Sequence, residues 1–198
     1  MKYLFPLIVG VLLIGVAACG DDSNDSEGEN NFYKTEVPEE RVLLQGVKEL
    51  NDSLARAEAD TDPLKKHIPN MVRLALIEKH LLLYRSFPKS KNAPYSLHEV
   101  QIQYGMINAH NLAVKYGDTL LQEYPDYPNR MIVIEDQIIN YDSYLKPWDK
   151  EKVKYYYDLL VKENTDLPED KMKDIEFRLA NMDKTLEEIM MEQMNAIQ

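Results

Sequence analysis

Four histidines, one cysteine and a concentration of tyrosines are the side chains with most to offer chemistry in this 198-residue chain. His67, His80, His98 and His110 never fall three or four residues apart, so no pair shares one helical face as a metal clamp. His98-Glu99 begins the His-Glu-x-x-His spacing of a zinc site, but Ile102 stands where the second histidine is needed. His80 sits in an apolar helical register with no nucleophile pattern beside it, and reads as a packed helix residue. After residue 31 only Gly46, Gly105 and Gly117 remain, too scattered to cradle a phosphate, and no nucleophile elbow or second cysteine occurs. Acidic residues are plentiful, yet no spacing selects a pair for acid–base work. The expectation is a protein that is not an enzyme and that uses no metal and no cofactor.

One constellation could still recognise a ligand. Tyr141, Tyr144 and Trp148 fall in the stretch between two helical patterns, and Tyr155, Tyr156 and Tyr157 follow on the next helix. Three consecutive residues span about 200° of a helix, so the tyrosines cannot all face one core. Tyr157 keeps the packing register, which leaves at least one of Tyr155 and Tyr156 accessible. Tyr141, Tyr144, Trp148, Tyr155 and Tyr156 are therefore a candidate surface for a peptide or a sugar; turn packing and amphipathic tyrosines at helix seams are the alternative.

The elements that position these residues begin with an address. Lys2 precedes an apolar stretch from Leu4 to Ala18, interrupted by Pro6, Gly10 and Gly15 and followed by Cys19 and a polar run. That is a secretory signal pattern, and it is shorter than the ~20 residues needed to cross a bilayer. The junction Val16-Ala17-Ala18-Cys19 resembles the lipobox of bacterial lipoproteins, with Val16 where leucine is commoner. The resemblance implies a signal peptide over residues 1–18 and cleavage before Cys19. It also implies acylation of that cysteine, palmitate included, and a lipid-anchored place in the cell envelope, at the outer membrane. Several acyl chains hold a protein stably at a membrane.

Residues 19–31 then carry Asp21, Asp22, Asp25, Glu27 and Glu29 and no large apolar side chain, the composition of a disordered tether. This acidic run resembles the surface-export signal of Bacteroidota lipoproteins; a plain spacer is the other reading. Residues 32–198 keep 22 basic against 29 acidic side chains, a net charge of −7. That balance disfavours nucleic acid, which needs clustered Lys and Arg.

Beyond the tether, nine prolines divide the chain into helix-sized pieces, and Pro38, Pro63, Pro94, Pro128 and Pro168 read as helix starts. A helix from Pro38 to about Ala59 offers Val47, Leu50 and Leu54 on one face and pairs with the next, from about Pro63 to Phe87. Leu76, His80, Leu83 and Pro88 recur as Ala113, Gly117, Leu120 and Pro125 after 37 residues, then as Val153, Tyr157, Leu160 and Thr165 after another 40. Between them Leu97, Val100 and Tyr104 match Met131, Ile134 and Ile138, then Met172, Ile175 and Leu179. Two alternating one-face patterns describe stacked helical hairpins, none of which buries its apolar face alone.

With these residues the chain resembles the tetratricopeptide-repeat (TPR) family. Gln101 stands where that family has a small residue, Gly117 where it has an aromatic, and Thr165 where it has the closing proline. The joints Phe87-Pro88 and Tyr124-Pro125-Asp126-Tyr127-Pro128 are similar to those of bacterial envelope TPR proteins, including those of the Tol–Pal and barrel-assembly systems. The ending from Phe177 to Ile189 resembles Bacteroidota TPR lipoproteins. The expected fold is all-α, a stack of degenerate TPR-like hairpins forming an α-solenoid over residues 32–198. Asp149 is an expected helix cap, and Thr185 with Glu188 has capping-box spacing. The resemblance implies a non-catalytic scaffold holding envelope proteins or peptides, attached to the membrane through its lipid; a surface-exposed glycan- or peptide-binding lipoprotein is the alternative.

Overall fold

Proline placement and one-face apolar spacing produce helices throughout the computed structural model, which describes residues 38–196. The expected signal peptide, Cys19 and the expected acidic tether lie outside the described residues. Among those described there is no strand, and the eight helices are α1 (Glu40–Ala59), α2 (Ile68–Ser86), α3 (Asn92–Met106), α4 (His110–Glu123), α5 (Arg130–Ile139), α6 (Lys150–Glu163), α7 (Glu169–Ala180) and α8 (Leu186–Ala196). Each helix from α1 to α7 packs on its neighbour in chain order, and α8 packs against the turn that follows α5.

The prolines work at the starts, though not always as the first helical residue. Pro38 precedes α1, Pro94 sits in the first turn of α3, Pro128 precedes α5, and Pro168 caps α7. Pro63 differs from expectation: it opens a short 3₁₀ turn, Pro63–Lys65, and α2 begins at Ile68 with Pro69 in its first turn. The helix ends follow local chemistry. Asp149 accepts the Lys152 amide at 3.0 Å. Thr185 and Glu188 exchange both capping-box bonds, Glu188 N to Thr185 Oγ1 at 3.2 Å and Thr185 N to Glu188 Oε2 at 2.7 Å. At the end of α3, Asn108 takes a left-handed φ of 60°, while Asn108 N reaches Gly105 O at 2.9 Å and Ala109 N reaches Tyr104 O at 2.8 Å. That is a Schellman closure, with asparagine in the place glycine usually fills.

Most of the periodic residues lie where their spacing requires; Met131, in the first turn of α5, is an exception and is 39% exposed. Leu76, Leu83, Leu97, Val100, Ala113, Leu120, Ile134, Val153 and Leu160 are all buried. Their burial forms several local clusters: Ile77, Leu81 and Val100; then Leu97, Leu120, Tyr127 and Val133; then Ile134, Ile138, Val153, Leu160 and Ile175. Each fully buried aliphatic side chain contributes about 1.5–3 kcal/mol over leaving it exposed. The α2–α3 and α4–α5 joints are tied to each other as well, since Tyr124 in the second donates its hydroxyl to the Pro88 carbonyl of the first at 2.8 Å.

The stretch from Tyr141 to Trp148 departs from a simple lengthened turn. Helix α5 runs directly into a π-helical turn, Asn140–Tyr144, before Leu145 becomes extended and Lys146-Pro147 adopts a cis peptide. The wider turn lets Tyr141 and Asp142 enter the interior while Tyr144 faces out.

Candidate functional site

The π turn disperses the five aromatic candidates. Tyr141 and Tyr156 are buried and stack, with ring centroids 5.5 Å apart and planes at 18°. Tyr156 donates its hydroxyl to Asp118 of α4, and Tyr141 reaches the same carboxylate at 3.4 Å. Burial and the adjacent Asp118 push the Tyr141 phenol up to about 12, and the Tyr156 phenol is raised further by the same causes. Tyr155 is the accessible member of its pair, 55% exposed, and packs edge-on against Tyr156. It lines a cavity of about 670 Å³ with Asp118, Arg130 and Lys152. Trp148 is half-buried, with its indole N–H donated to Asp142 at 3.2 Å. Tyr144, 55% exposed, stands apart from these and stacks flat on His110 at 4.1 Å.

Tyr144 belongs to a second surface that the aromatic count does not reveal. A groove of about 390 Å³ runs between α3 and the α5 end, lined by Ile102 and Met106 on one side and Ile139 and Tyr144 on the other. These four are large apolar residues left open to solvent. The signal was present in α3, where Tyr95, Ile102 and Met106 recur on the face opposite Leu97, Val100 and Tyr104. A second apolar stripe on an amphipathic helix marks surface meant for something other than its own core.

Polar side chains form the groove floor. Gln101, only 1% exposed, donates its amide to Gln137 Oε1 at 3.2 Å, and Gln137 passes its own amide hydrogens to the Val114 carbonyl at 2.9 Å and to Asp118. Gln101 Oε1 is buried without a partner. At the open end, Asn140 donates Nδ2 to the Asp136 carbonyl at 2.7 Å and turns Oδ1 to His110 Nδ1 at 2.8 Å. The Asn140 amide oxygen can only accept, so the proton in the second bond belongs to His110 Nδ1.

The other histidines lie away from the groove lining. His98 is buried, with Nδ1 2.9 Å from the Tyr127 hydroxyl. His67 is exposed ahead of α2. His80 is buried among α2 neighbours, and desolvation lowers its pKa below the ordinary 6.5, with Glu99 opposing weakly. The neutral ring is therefore the folded form. Stability is fully present above pH 6.5 and declines as pH falls towards the lowered folded value, because the unfolded chain takes up a proton that the folded chain refuses. Urea unfolding at stepped pH should show this decline, and His80→Gln should reduce its slope; an unchanged slope would remove His80 as its source.

Among the described residues, no group of three or more His, Cys, Asp or Glu is arranged to hold a metal ion, and no helix is long and apolar enough to cross a membrane. Compared with known proteins, the chain matches no family model, no curated protein and no solved structure.

Proposed function

We propose that this chain is a membrane-anchored, TPR-like scaffold lipoprotein of the bacterial envelope, which holds another protein against its α3–α5 face. The observation that carries the reading is the open apolar surface of Ile102, Met106, Ile139 and Tyr144, which the chain's own helices leave uncovered. Helices packed in chain order present such a surface on a rigid frame, and binding there asks for no chemistry from the scaffold. The anchor rests on Val16-Ala17-Ala18-Cys19 and the apolar stretch before it. An outer-membrane location follows from the resemblance to envelope TPR lipoproteins.

Two measurements test the two halves of this proposal. A photo-crosslinking residue at position Tyr144 should trap discrete partners in intact cells, whereas the same residue at Asp126, exposed in the α4–α5 joint, should not. Identical adducts from both positions, or none from Tyr144, would reject the groove as the holding surface. Separately, Cys19→Ala should move the protein from the membrane to the soluble fraction and abolish acyl labelling; persistence of both would reject the anchor.

A further inference from the structure

We infer that the α3–α5 groove receives a lysine or arginine side chain of the partner polypeptide. This deepens the scaffold reading above and rests on it. Two of the groove's polar groups, the Asp136 carboxylate and Gln101 Oε1, are acceptors without a protein donor. Asp136 lines the groove with its side chain 31% exposed, and among the described residues no Lys or Arg pairs with it. Its neighbour Glu135, by contrast, is held by Lys171. The nearest positive candidate for Asp136 is His98, whose Nε2 stands 3.6 Å away, beyond hydrogen-bond range. Among the described residues Asp136 thus has no Lys or Arg beside it and no side-chain donor within hydrogen-bond distance of its carboxylate.

A further acceptor shares the groove lining: Gln101 contributes to it, and its Oε1 is buried and unpartnered. Beside these acceptors lie the aliphatic walls of Ile102, Met106 and Ile139. A long methylene stem ending in a cation satisfies both halves at once: the stem covers the aliphatic wall while the head meets the carboxylate. The exposed face of Tyr144 adds a site for a guanidinium or ammonium.

The same inventory argues against other occupants. An acidic or phosphorylated segment would bring acceptors to acceptors and negative charge to Asp136. A purely apolar side chain would strip water from the carboxylate and return no hydrogen bond, and would leave Gln101 Oε1 unpaired. The net charge of −7 over residues 32–198 favours approach of a basic segment over long range.

The test uses the full chain in detergent and fluorescein-labelled peptides Gly-Ser-Leu-X-Leu-Ser-Gly, with X lysine, arginine, norleucine or glutamate, read by fluorescence polarisation. Lysine and arginine peptides should bind about tenfold tighter than the norleucine peptide, the yield of one charge-assisted hydrogen bond, and the glutamate peptide weakest. Asp136→Asn keeps the shape and removes the charge, and should erase the preference; Glu135→Gln, one residue away, should leave it intact. Equal binding of lysine and norleucine peptides, a preference that survives Asp136→Asn, or no binding by any peptide overturns the inference. Crosslinks from position Tyr144 that persist alongside such a result would show that the scaffold reading stands while the cationic specificity fails.

Discussion

Replacing Arg178 with methionine should lower the unfolding free energy by about 3–5 kcal/mol, the largest loss expected from any single polar residue in the chain. Arg178 ends α7, and its guanidinium meets Asp142 of the π turn through two bonds, Nε to Oδ2 and Nη2 to Oδ1, both at 2.7 Å. The side chains are only 4% and 1% exposed, so water cannot take over if one partner is removed. A third bond runs from Arg178 Nη1 to the Asn181 carbonyl at 2.9 Å, and the guanidinium lies over the Trp148 ring at 5.3 Å. Methionine fills much of the arginine stem's volume, so the predicted cost is chiefly that of an orphaned buried carboxylate and not of a cavity.

That reasoning makes a sharper claim about the pair. Desolvating two charges offsets most of what their attraction returns, so Asp142→Leu combined with Arg178→Met should recover the greater part of the single-variant loss. Urea denaturation of the four forms measures the cycle, and Trp148 emission reports whether the π turn itself has loosened. Additive losses in the double variant would mean that the two residues do not act as a pair. A single-variant loss below about 1 kcal/mol would place the bridge in water, contrary to its burial.

What could be read ahead of the structure follows from how local each cause is. Periodicity located the buried faces because a helix places residues three and four apart together whatever surrounds it. Leu97, Val100, Leu120, Ile134 and Leu160 followed directly from this rule. Capping by Asp149 and by Thr185 with Glu188 was equally legible, since both involve neighbours in sequence. The π turn was not, because the same residues serve an ordinary turn equally well until Asp142 finds Arg178, 36 positions away. That non-local bond sends Tyr141 inward and Tyr144 outward, so the aromatic cluster in the sequence became two separate environments. The groove was half legible: the stripe of Tyr95, Ile102 and Met106 along α3 can be read from spacing, but its other wall appears only when α5 brings Ile139 and Asp136 beside it.

Gly117→Ala should destabilise the protein by about 2 kcal/mol, although alanine is the better helix former by about 1 kcal/mol. A Cβ at this position would lie 2.5 Å from Gln137 Oε1, 2.6 Å from Gln137 Cδ and 2.8 Å from Gln101 Nε2. Glutamine ends are normally able to swing aside, but Gln137 is wholly buried and bonded to Gln101, the Val114 carbonyl and Asp118. Moving it breaks those bonds where water cannot replace them. The glycine on α4 and the glutamine on α3 are therefore two halves of one exchange of volume. Gln101, a large polar residue, and Gly117, the smallest, face each other across the α3–α4 contact. The discriminating comparison is Gly117→Ala in a Gln137→Ala background. There the two nearest crowding atoms are gone and Gln101, no longer bonded to Gln137, is free to swing aside, so the substitution should turn neutral or stabilising as helix propensity takes over, a coupling of about 2 kcal/mol by thermal or urea unfolding. If Gly117→Ala costs the same in both backgrounds, the glycine is answering a backbone demand instead, and the polar ladder from Gln101 to Asp118 plays no part in keeping it.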